Sequence, residues 1–253
     1  MSTTATAPVG RPFSLGVTFA IARREFATFF SSPIAYIVLI VFLSLAGWLF
    51  FGPLFLAGQA SLRGFFGLVP LLFVFIVPAI TMRALAEERN SGTIELLLTF
   101  PLEDWEIVAG KFLASLGMVA VGLLFTVPYA ISVASLTGPG APFDWGAVFA
   151  GYVGLLLVAA SFIALGLWGS AASRNQIVGF ILGLMLCFFF AFIDNFAALL
   201  PEGLARVVEY VSVDFHFQNL ARGVIDTRDL VFYATLVAVG LTLTTSTLSA
   251  TRK

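Results

Sequence analysis

Residues that could carry out covalent or metal chemistry are scarce in this sequence. The 253 residues include one histidine, His216, and one cysteine, Cys187. A metal site at His216 would need Asp214 and Asp226 as ligands without a second imidazole, so we expect a satisfied polar contact there instead. Cys187 lies within a long apolar run, where a cysteine usually packs as a small hydrophobic residue. Neither side chain predicts catalysis.

Motifs that bind nucleotides or activate nucleophiles are also missing. A phosphate-binding loop requires G-x-x-x-x-G-K-[ST], because its backbone N–H groups surround the phosphates. The one Gly-Lys pair, at 110–111, is followed by Phe112 and lacks the upstream glycine. The sequence contains neither G-x-S-x-G nor H-E-x-x-H. We therefore predict that the chain is not catalytic alone and binds no cofactor or metal of its own.

Composition places the chain in a lipid bilayer. Hydrophobic residues make up 60% of the sequence and charged residues 11%, and the mean hydropathy is +1.03. Six charge-free stretches are long enough to cross a hydrocarbon core, which requires about 20 apolar residues. They predict helices at roughly 33–55, 64–83, 111–136, 146–170, 176–199 and 230–249. The predicted fold is an all-α integral membrane protein whose residues 33–250 form a single six-span domain.

The distribution of lysine and arginine predicts which side of the membrane each loop faces. With the N-terminus in the cytosol, the cytosolic segments hold nine basic residues and the external segments hold four. This excess favours cytosolic positions for both termini. A cleaved signal peptide ending near Ala22 is the alternative, but the preceding stretch, FSLGVTFA, is short and interrupted by polar residues.

The residues before the first span predict a helix that lies on the membrane. We expect residues 1–12 to be a disordered tail and residues 13–32 to be an interfacial amphipathic helix. Its apolar face comprises Leu15, Phe19, Ala22, Phe26 and Phe29, at helical spacing. Such a helix places its arginines near lipid headgroups, and Pro33 permits the turn into the first span.

A third of the charges lie in one stretch between the second and third spans. Residues 82–111 hold nine of the 27 charged residues, with a net charge of −3. We expect the second helix to stop near Asn90, with Gly92 in the left-handed conformation. Thr93 would cap a short helix, IELLL, before Pro101 restarts the chain. Acidic charge beside exposed leucines suggests a docking surface for a partner, and the alternative is a helix that covers only its own bundle.

Two stretches of the sequence resemble a known family of membrane proteins. EERNSGTIELLLTFPLEDWEIVAGKFLA is similar to the cytosolic segment of ABC-2 type transporter permeases, in which EER is followed by GT-E-LL, a proline and GK. DFHFQNLARGVIDTRDLVFY, residues 214–233, resembles the permease subunit of gliding-motility-type ABC transporters, in which a His-Phe pair precedes RGVID-RD. With the six-span layout, the similarity extends over nearly the whole chain.

The resemblance implies the permease subunit of an ABC-2 type exporter in a bacterial inner membrane. The subunit would pair with itself or with a similar permease, and with two cytosolic ATPase subunits that carry ATP and Mg. An external auxiliary or substrate-binding protein is a further implied partner, whereas no nucleic acid is expected. Segment 83–110 would dock in the ATPase as a coupling segment. The implied coupling residues are Glu87, Glu88, Arg89, Gly92, Thr93, Glu95, Leu97, Leu98, Pro101 and Glu103.

The resemblance also implies a re-entrant hairpin in the external segment, residues 200–229. This segment is too long for a simple connection between neighbouring helices, and its hydrophobic residues suggest helices that dip into the outer leaflet. The expected gate residues are Phe215, His216, Phe217, Arg222, Gly223 and Asp226. The alternative is a loop that rests on the membrane without gating.

Small residues and prolines within the spans give further predictions. Gly179 and Gly183 form a G-x-x-x-G pair that permits close helix approach, either at a dimer interface or within one bundle. Pro70 and Pro78 in the second span and Pro128 in the third can bend their helices.

Two other classes of function were compared with the permease. An ion-coupled secondary transporter usually carries charged groups at mid-membrane, and no such cluster occurs here. A membrane scaffold that assembles a partner complex without transport remains the alternative, because its docking helix would look the same.

Overall fold

The computed structural model describes residues 14–58, 61–92, 102–137 and 143–251. The predicted tail, 1–12, lies outside these ranges. Within them the elements are helices, with no β-strand. In chain order they are α1 (Leu15–Ser31), α2 (Pro33–Ala57), α3 (Arg63–Thr81), α4 (Ala86–Asn90), α5 (Asp104–Leu124), α6 (Val127–Leu136), α7 (Trp145–Ala171), α8 (Gln176–Phe192), a 3₁₀ helix (Ile193–Leu199), α9 (Glu202–Val211), α10 (Val213–Ala221) and α11 (Thr227–Thr251).

Six helical stretches in the described ranges are long and apolar enough to cross a membrane. They are Pro33–Leu56, Arg63–Asn90, Asp104–Leu136, Trp145–Ala171, Gln176–Ala197 and Thr227–Ala250. The predicted all-α fold with six spans is thereby confirmed. We call the end of the bundle where α4 lies and α5 begins the charged end. The opposite end carries α9 and α10.

The third span begins earlier than the sequence predicted. The expected start was near residue 111, whereas α5 begins at Asp104. Asp104, Glu106 and Lys111 are at most 8% exposed, because neighbouring helices cover them. The prediction used charged residues as markers of a helix end, but here the helix runs through them.

Side chains that precede the fourth and fifth spans cap the first turns of those helices. Asp144 Oδ1 accepts from the Ala147 amide at 3.1 Å, and Asn175 Oδ1 accepts from the Ile177 amide at 2.8 Å. Each cap satisfies one of the amides that a helix start leaves unpaired. The two caps therefore fix the residues at which α7 and α8 begin.

The third span is broken near the proline that predicted a bend. α5 ends at Leu124 and α6 begins at Val127, directly before Pro128. The two prolines of α3, by contrast, lie inside a continuous helix. At the break, the Thr126 hydroxyl donates to the Leu123 carbonyl at 2.6 Å. It also lies 3.0 Å from the Tyr152 hydroxyl of α7. The break is thus fixed to the centre of the bundle.

α7 is the central helix of the bundle. It packs against α3, α5, α8, α10 and α11, and its glycines determine how closely some of these helices approach. A Cβ on Gly154 would lie 2.9 Å from Leu220 Cβ on α10, and one on Gly169 would lie 2.8 Å from Gly183 N on α8. Larger side chains at these positions would force the helices apart.

Gly179 and Gly183 lie where α8 crosses α7. A Cβ on Gly183 would lie 3.3 Å from Gly166 Cα, and one on Gly179 would lie 3.3 Å from Ser170 Cα. The pair permits close helix approach within one protomer, which is the second of the two predicted alternatives. Packing of the same glycines between two permease copies stays a prediction.

α1 lies along the first half of α5. A Cβ on Gly110 would lie 2.6 Å from Ile21 Cγ2, and one on Gly117 would lie 3.2 Å from the ring of Phe26. The contacts advance in the same direction on both helices, so the two run side by side. Phe19, on the predicted apolar face, is 69% exposed. A position of α1 in the membrane interface stays a prediction.

Candidate functional site

The charged segment, residues 82–111, begins in a turn that one serine of α7 holds in place. Residues 82–85 form this turn between α3 and α4. The Ser170 hydroxyl accepts from the amides of Leu85 and Ala86 at 3.1 and 3.0 Å. The same hydroxyl donates to the Met82 carbonyl at 2.9 Å. Two accepted bonds and one donated bond use the full capacity of a hydroxyl, so the turn is tied to α7.

Lys111 joins three helices at the charged end. Its ammonium lies 2.6 Å from Glu88 Oε1 on α4 and 3.3 Å from Glu25 Oε1 on α1. The lysine side chain is 3% exposed, and the side chains of Glu88 and Glu25 are 21% and 27% exposed. A buried ammonium is tolerated when carboxylates pair with it. Charge as well as packing therefore holds α1, α4 and α5 together.

Glu106 closes the start of α5 and ties it to α1. Its Oε2 accepts from the Glu103 amide at 3.2 Å, and the reciprocal contacts of a capping box are present. Its Oε1 accepts from the Ser14 amide at 2.8 Å. Both oxygens of this buried carboxylate are thus used to fix the place where the chain re-enters the bundle.

The last turns of α11 contact both described flanks of the charged segment. Ser249 Oγ donates to Asp104 Oδ2 at 2.8 Å, and Arg89 donates to the Thr247 carbonyl at 3.4 Å. Asp104 begins α5 and Arg89 lies in α4, so the end of one span links the two sides. A movement of either flank would therefore displace the end of α11 or break one of these two contacts.

The structure describes five of the ten predicted coupling residues. Gly92 has a φ of +70°, which confirms the left-handed helix stop. Glu88, Arg89 and Glu103 make contacts within the chain, as described above, whereas Glu87 is exposed. The other five lie outside the described residues: Thr93, Glu95, Leu97, Leu98 and Pro101.

A match to a known family covers most of the chain. Residues 55–245 match the family model described as ABC-2 family transporter protein. The chain belongs to this family. The match includes the whole charged segment, and no curated protein matches the chain. The chain is therefore the membrane permease of an ABC transporter, which is not catalytic alone and works with cytosolic ABC ATPase subunits.

Three of the side chains that hold the charged segment of this ABC-2 permease were not predicted as site residues. They are Glu25, Lys111 and Ser170. Lys111 stands directly before a long apolar run, and this position could have indicated a buried ion pair, since such a charge must find a partner. Glu25 and Ser170 gave no signal, because their contacts join residues that are far apart in the sequence.

At the opposite end of the permease, His216 joins α10 to α11. Its Nδ1 lies 2.6 Å from Asp229 Oδ1, and its Nε2 lies 3.0 Å from the Tyr210 carbonyl. A carbonyl only accepts, so Nε2 donates, and a further proton must lie between Nδ1 and the carboxyl group. Asn219 donates to Asp229 Oδ2 at 3.1 Å. This is the polar contact expected of His216, but its partner is Asp229.

The two aspartates considered as metal ligands make other contacts. Asp214 accepts from the Gln218 amide group at 3.1 Å, and Asp226 accepts from the Arg228 backbone amide at 2.9 Å. The pKa of Asp214 is raised above its usual value, chiefly because the carboxyl group is buried. The hydrogen bond from Gln218 offsets part of this rise, and the negative charge of nearby Asp194 adds to it. In the described part of the chain, no three His, Cys, Asp or Glu side chains are grouped to hold a metal ion.

The other predicted gate residues differ in burial. Phe217 is buried against Gly154 of α7, which lies ~14 Å along the helix axis from the start of α7. Phe215 and Arg222 are exposed. Gly223 has a φ of +88°, and a Cβ there would lie 3.0 Å from α7 backbone. α10 thus packs beside a span, and its entry into the outer leaflet stays a prediction.

Replacing Asp229 by asparagine should destabilise the permease by about 1.5 kcal/mol, because a charge-assisted hydrogen bond to a buried histidine is lost. Thermal unfolding of the detergent-solubilised protein measures the effect. Asp226→Asn is the matched control, since an asparagine can still accept from the Arg228 amide, and it should change stability by less than about 0.5 kcal/mol. Equal effects of the two substitutions would remove the His216–Asp229 pair from the account.

Proposed function

We propose that this permease exports its substrate with energy from ATP, which two cytosolic ATPase subunits bind with Mg and hydrolyse. The coupling segment, residues 83–110 within the charged segment, would transmit their movement to the spans. Both termini and the charged end would then face the cytosol, as the distribution of basic residues favours. The external segment would close the outer mouth as a re-entrant gate.

The observation that carries the proposal is the way in which the two flanks of the charged segment are held. One flank is bound by Ser170 of α7 and by the Lys111 ammonium, which also holds α1. The other flank is bound by Ser249 of α11. Polar contacts therefore connect the two flanks to each other and to α1, α7 and α11. Because both described flanks are held by these contacts, a displacement of the segment would be transmitted to the helices that they join.

Coupling then follows as a shift between two states of the permease. ATP draws the two ATPase subunits together, and the docked segments move with them. The permease changes its equilibrium because the closed ATPase pair binds one arrangement of the segments more tightly than the other. The break at Pro128 gives the third span a place to bend.

The predicted coupling residues divide into two roles under this proposal. Glu95 and the exposed Glu87 form charged contacts with the ATPase, and Leu97 and Leu98 supply the apolar anchor. The side chains of Glu88, Arg89 and Glu103 position the segment from within the chain. Gly92, with its positive φ, lets the chain turn sharply at the end of α4.

Further partners of the proposal rest on the resemblance and on exposed apolar faces. Trp48 on α2 is 81% exposed and Met185 on α8 is 65% exposed, which leaves these faces for lipid or for a second permease copy. The gliding-motility-type subfamily, the bacterial inner membrane and an external auxiliary protein come from the resemblance of residues 214–233.

Replacing Glu95 by lysine should reduce ATPase activity stimulated by the permease, because the charge that meets the ATPase is reversed. The measurement is ATP hydrolysis by the ATPase subunits reconstituted with wild-type or variant permease. Glu202→Lys is the control, since Glu202 is an exposed acid at the opposite end. Unchanged stimulation by Glu95→Lys in normally inserted protein would exclude Glu95 from the coupling contact. Loss of stimulation by both variants would point to a general defect instead.

A further inference from the structure

A cleft opens at the charged end between α1, α2, α5 and the region where α3 passes into α4. Its volume is about 420 Å³, within the ~300–1,000 Å³ typical of pockets for organic ligands. Its walls include the amphipathic α1 and three membrane-spanning stretches. The coupling role proposed above shares Glu87, Glu88 and Lys111 with the lining of the cleft but assigns nothing to its interior.

Charged side chains line one part of the cleft, and their formal charges cancel. The cations are Arg24, Arg83 and Lys111, and the carboxylates are Glu25, Glu87 and Glu88. Lys111 is already bound to two of the carboxylates. Arg24, Arg83 and Glu87 are exposed. Together they can contact a ligand that carries both a negative and a positive group.

Apolar side chains line the other part of the cleft. They include Val38 of α2, Ile80 of α3 and Met118 of α5. Met118 lies beyond Lys111 toward the middle of the bundle, by about 10 Å along the axis of α5. The separation of charged and apolar walls over this depth matches the headgroup and acyl chains of a phospholipid.

Ser115 lies between the two parts, one helical turn beyond Lys111. It lines the cleft, it is 1% exposed, and its hydroxyl has no hydrogen-bond partner among the described residues. Buried hydroxyl groups in native proteins are normally hydrogen-bonded. A ligand oxygen at this depth would satisfy the group, and the ester carbonyl of a phospholipid lies just below the headgroup.

We propose that the cleft binds a zwitterionic phospholipid from the leaflet at the charged end. The phosphate contacts Arg24 and Arg83, the ammonium contacts Glu87, and an ester carbonyl accepts from Ser115. The acyl chains follow the apolar wall. An anionic lipid would add a charge that the balanced lining does not neutralise. The site holds whether or not the permease is an exporter.

Native mass spectrometry of the full-length protein tests the proposal with short-chain phosphatidylethanolamine and with phosphatidylglycerol of the same chain length. We expect one phosphatidylethanolamine per chain, bound about tenfold more tightly than phosphatidylglycerol. The double variant Arg24→Gln/Arg83→Gln should weaken this binding at least about tenfold, because two charge-assisted contacts are lost. Arg206→Gln is the control at an exposed arginine of the opposite end and should leave binding unchanged.

Ser115→Leu provides a second variant that fills the cleft at mid-depth, and it should also weaken binding in protein whose unfolding temperature is retained. Equal binding of phosphatidylglycerol would overturn the zwitterionic assignment. Binding that none of the variants changes would show only lipid on the outer surface of the spans. Full competition by inorganic phosphate would show a site for free phosphate. A folded protein that binds no lipid would overturn the proposal.

Discussion

Replacing Lys111 by methionine should be among the most damaging single changes in this permease, with a loss of about 3 kcal/mol in the free energy of unfolding. Methionine keeps most of the length of the side chain but removes the charge that lies between Glu25 and Glu88. The two carboxylates then face each other with no cation between them. Because three helices meet at this position, we also expect the loss of permease-stimulated ATP hydrolysis.

The structure supplies matched controls for the Lys111 prediction. Lys111→Arg retains a cation and should be much less destabilising, although a guanidinium does not reproduce the ammonium geometry. Glu25→Gln and Glu88→Gln in the Lys111→Met background remove the facing charges and should restore part of the lost stability. Thermal unfolding in detergent and ATPase stimulation are the two measurements. A Lys111→Met variant with wild-type stability and stimulation would contradict the proposed role of the three-helix contact.

Replacing Gly169 by alanine should have a comparable effect on folding, with a cost of about 3 kcal/mol. The added Cβ would lie 2.8 Å from Gly183 N and 3.2 Å from Gly179 O. Both contacts are with the backbone of α8, which has no flexible side-chain atom to move aside. α7 and α8 must then separate, and the packing around the central helix is lost. We expect reduced yield of folded protein and a lower unfolding temperature.

Gly52 gives the matched control for the Gly169 prediction. It lies within α2, and a Cβ there would meet nothing within 4 Å. Gly52→Ala should therefore stabilise the helix by about 0.5–1 kcal/mol, because alanine has the higher helix propensity. Opposite signs for the two Gly→Ala changes, measured by thermal unfolding in the same detergent, are the expected result. Equal stability of both variants would contradict the close crossing of α7 and α8.

The spans were predictable because they depend on local properties of the sequence. An uninterrupted apolar run of sufficient length determines a membrane helix, and the six runs gave six helices. The left-handed conformation of Gly92 followed from the polar stop before it. Pro128 likewise predicted a distortion in the third span, and the helix breaks there. In each case the relevant residues lie within a few positions of one another.

The contacts that organise the candidate site were not predictable in the same way. Glu25 and Lys111 are far apart in the sequence, and only tertiary packing of α1 along α5 brings them together. Asp214 and Asp226 were the aspartates considered beside His216, and the pairing with Asp229 instead depends on how α10 packs against α11. The charges at the start of α5 were taken as a boundary, because a sequence does not show that partners will bury them.

The most direct test of the central claim is to isolate the tagged permease from its native membrane in mild detergent and assay the bound proteins for ATP hydrolysis. Wild-type permease should bring with it an ATP-hydrolysing subunit. The Glu95→Lys/Leu98→Ala variant, inserted at the same level, should lose that subunit because the charged and apolar contacts proposed for Glu95 and Leu98 are removed. Recovery of intact wild-type permease without an ATPase, under conditions that preserve other membrane complexes, would contradict the coupling account and favour a scaffold.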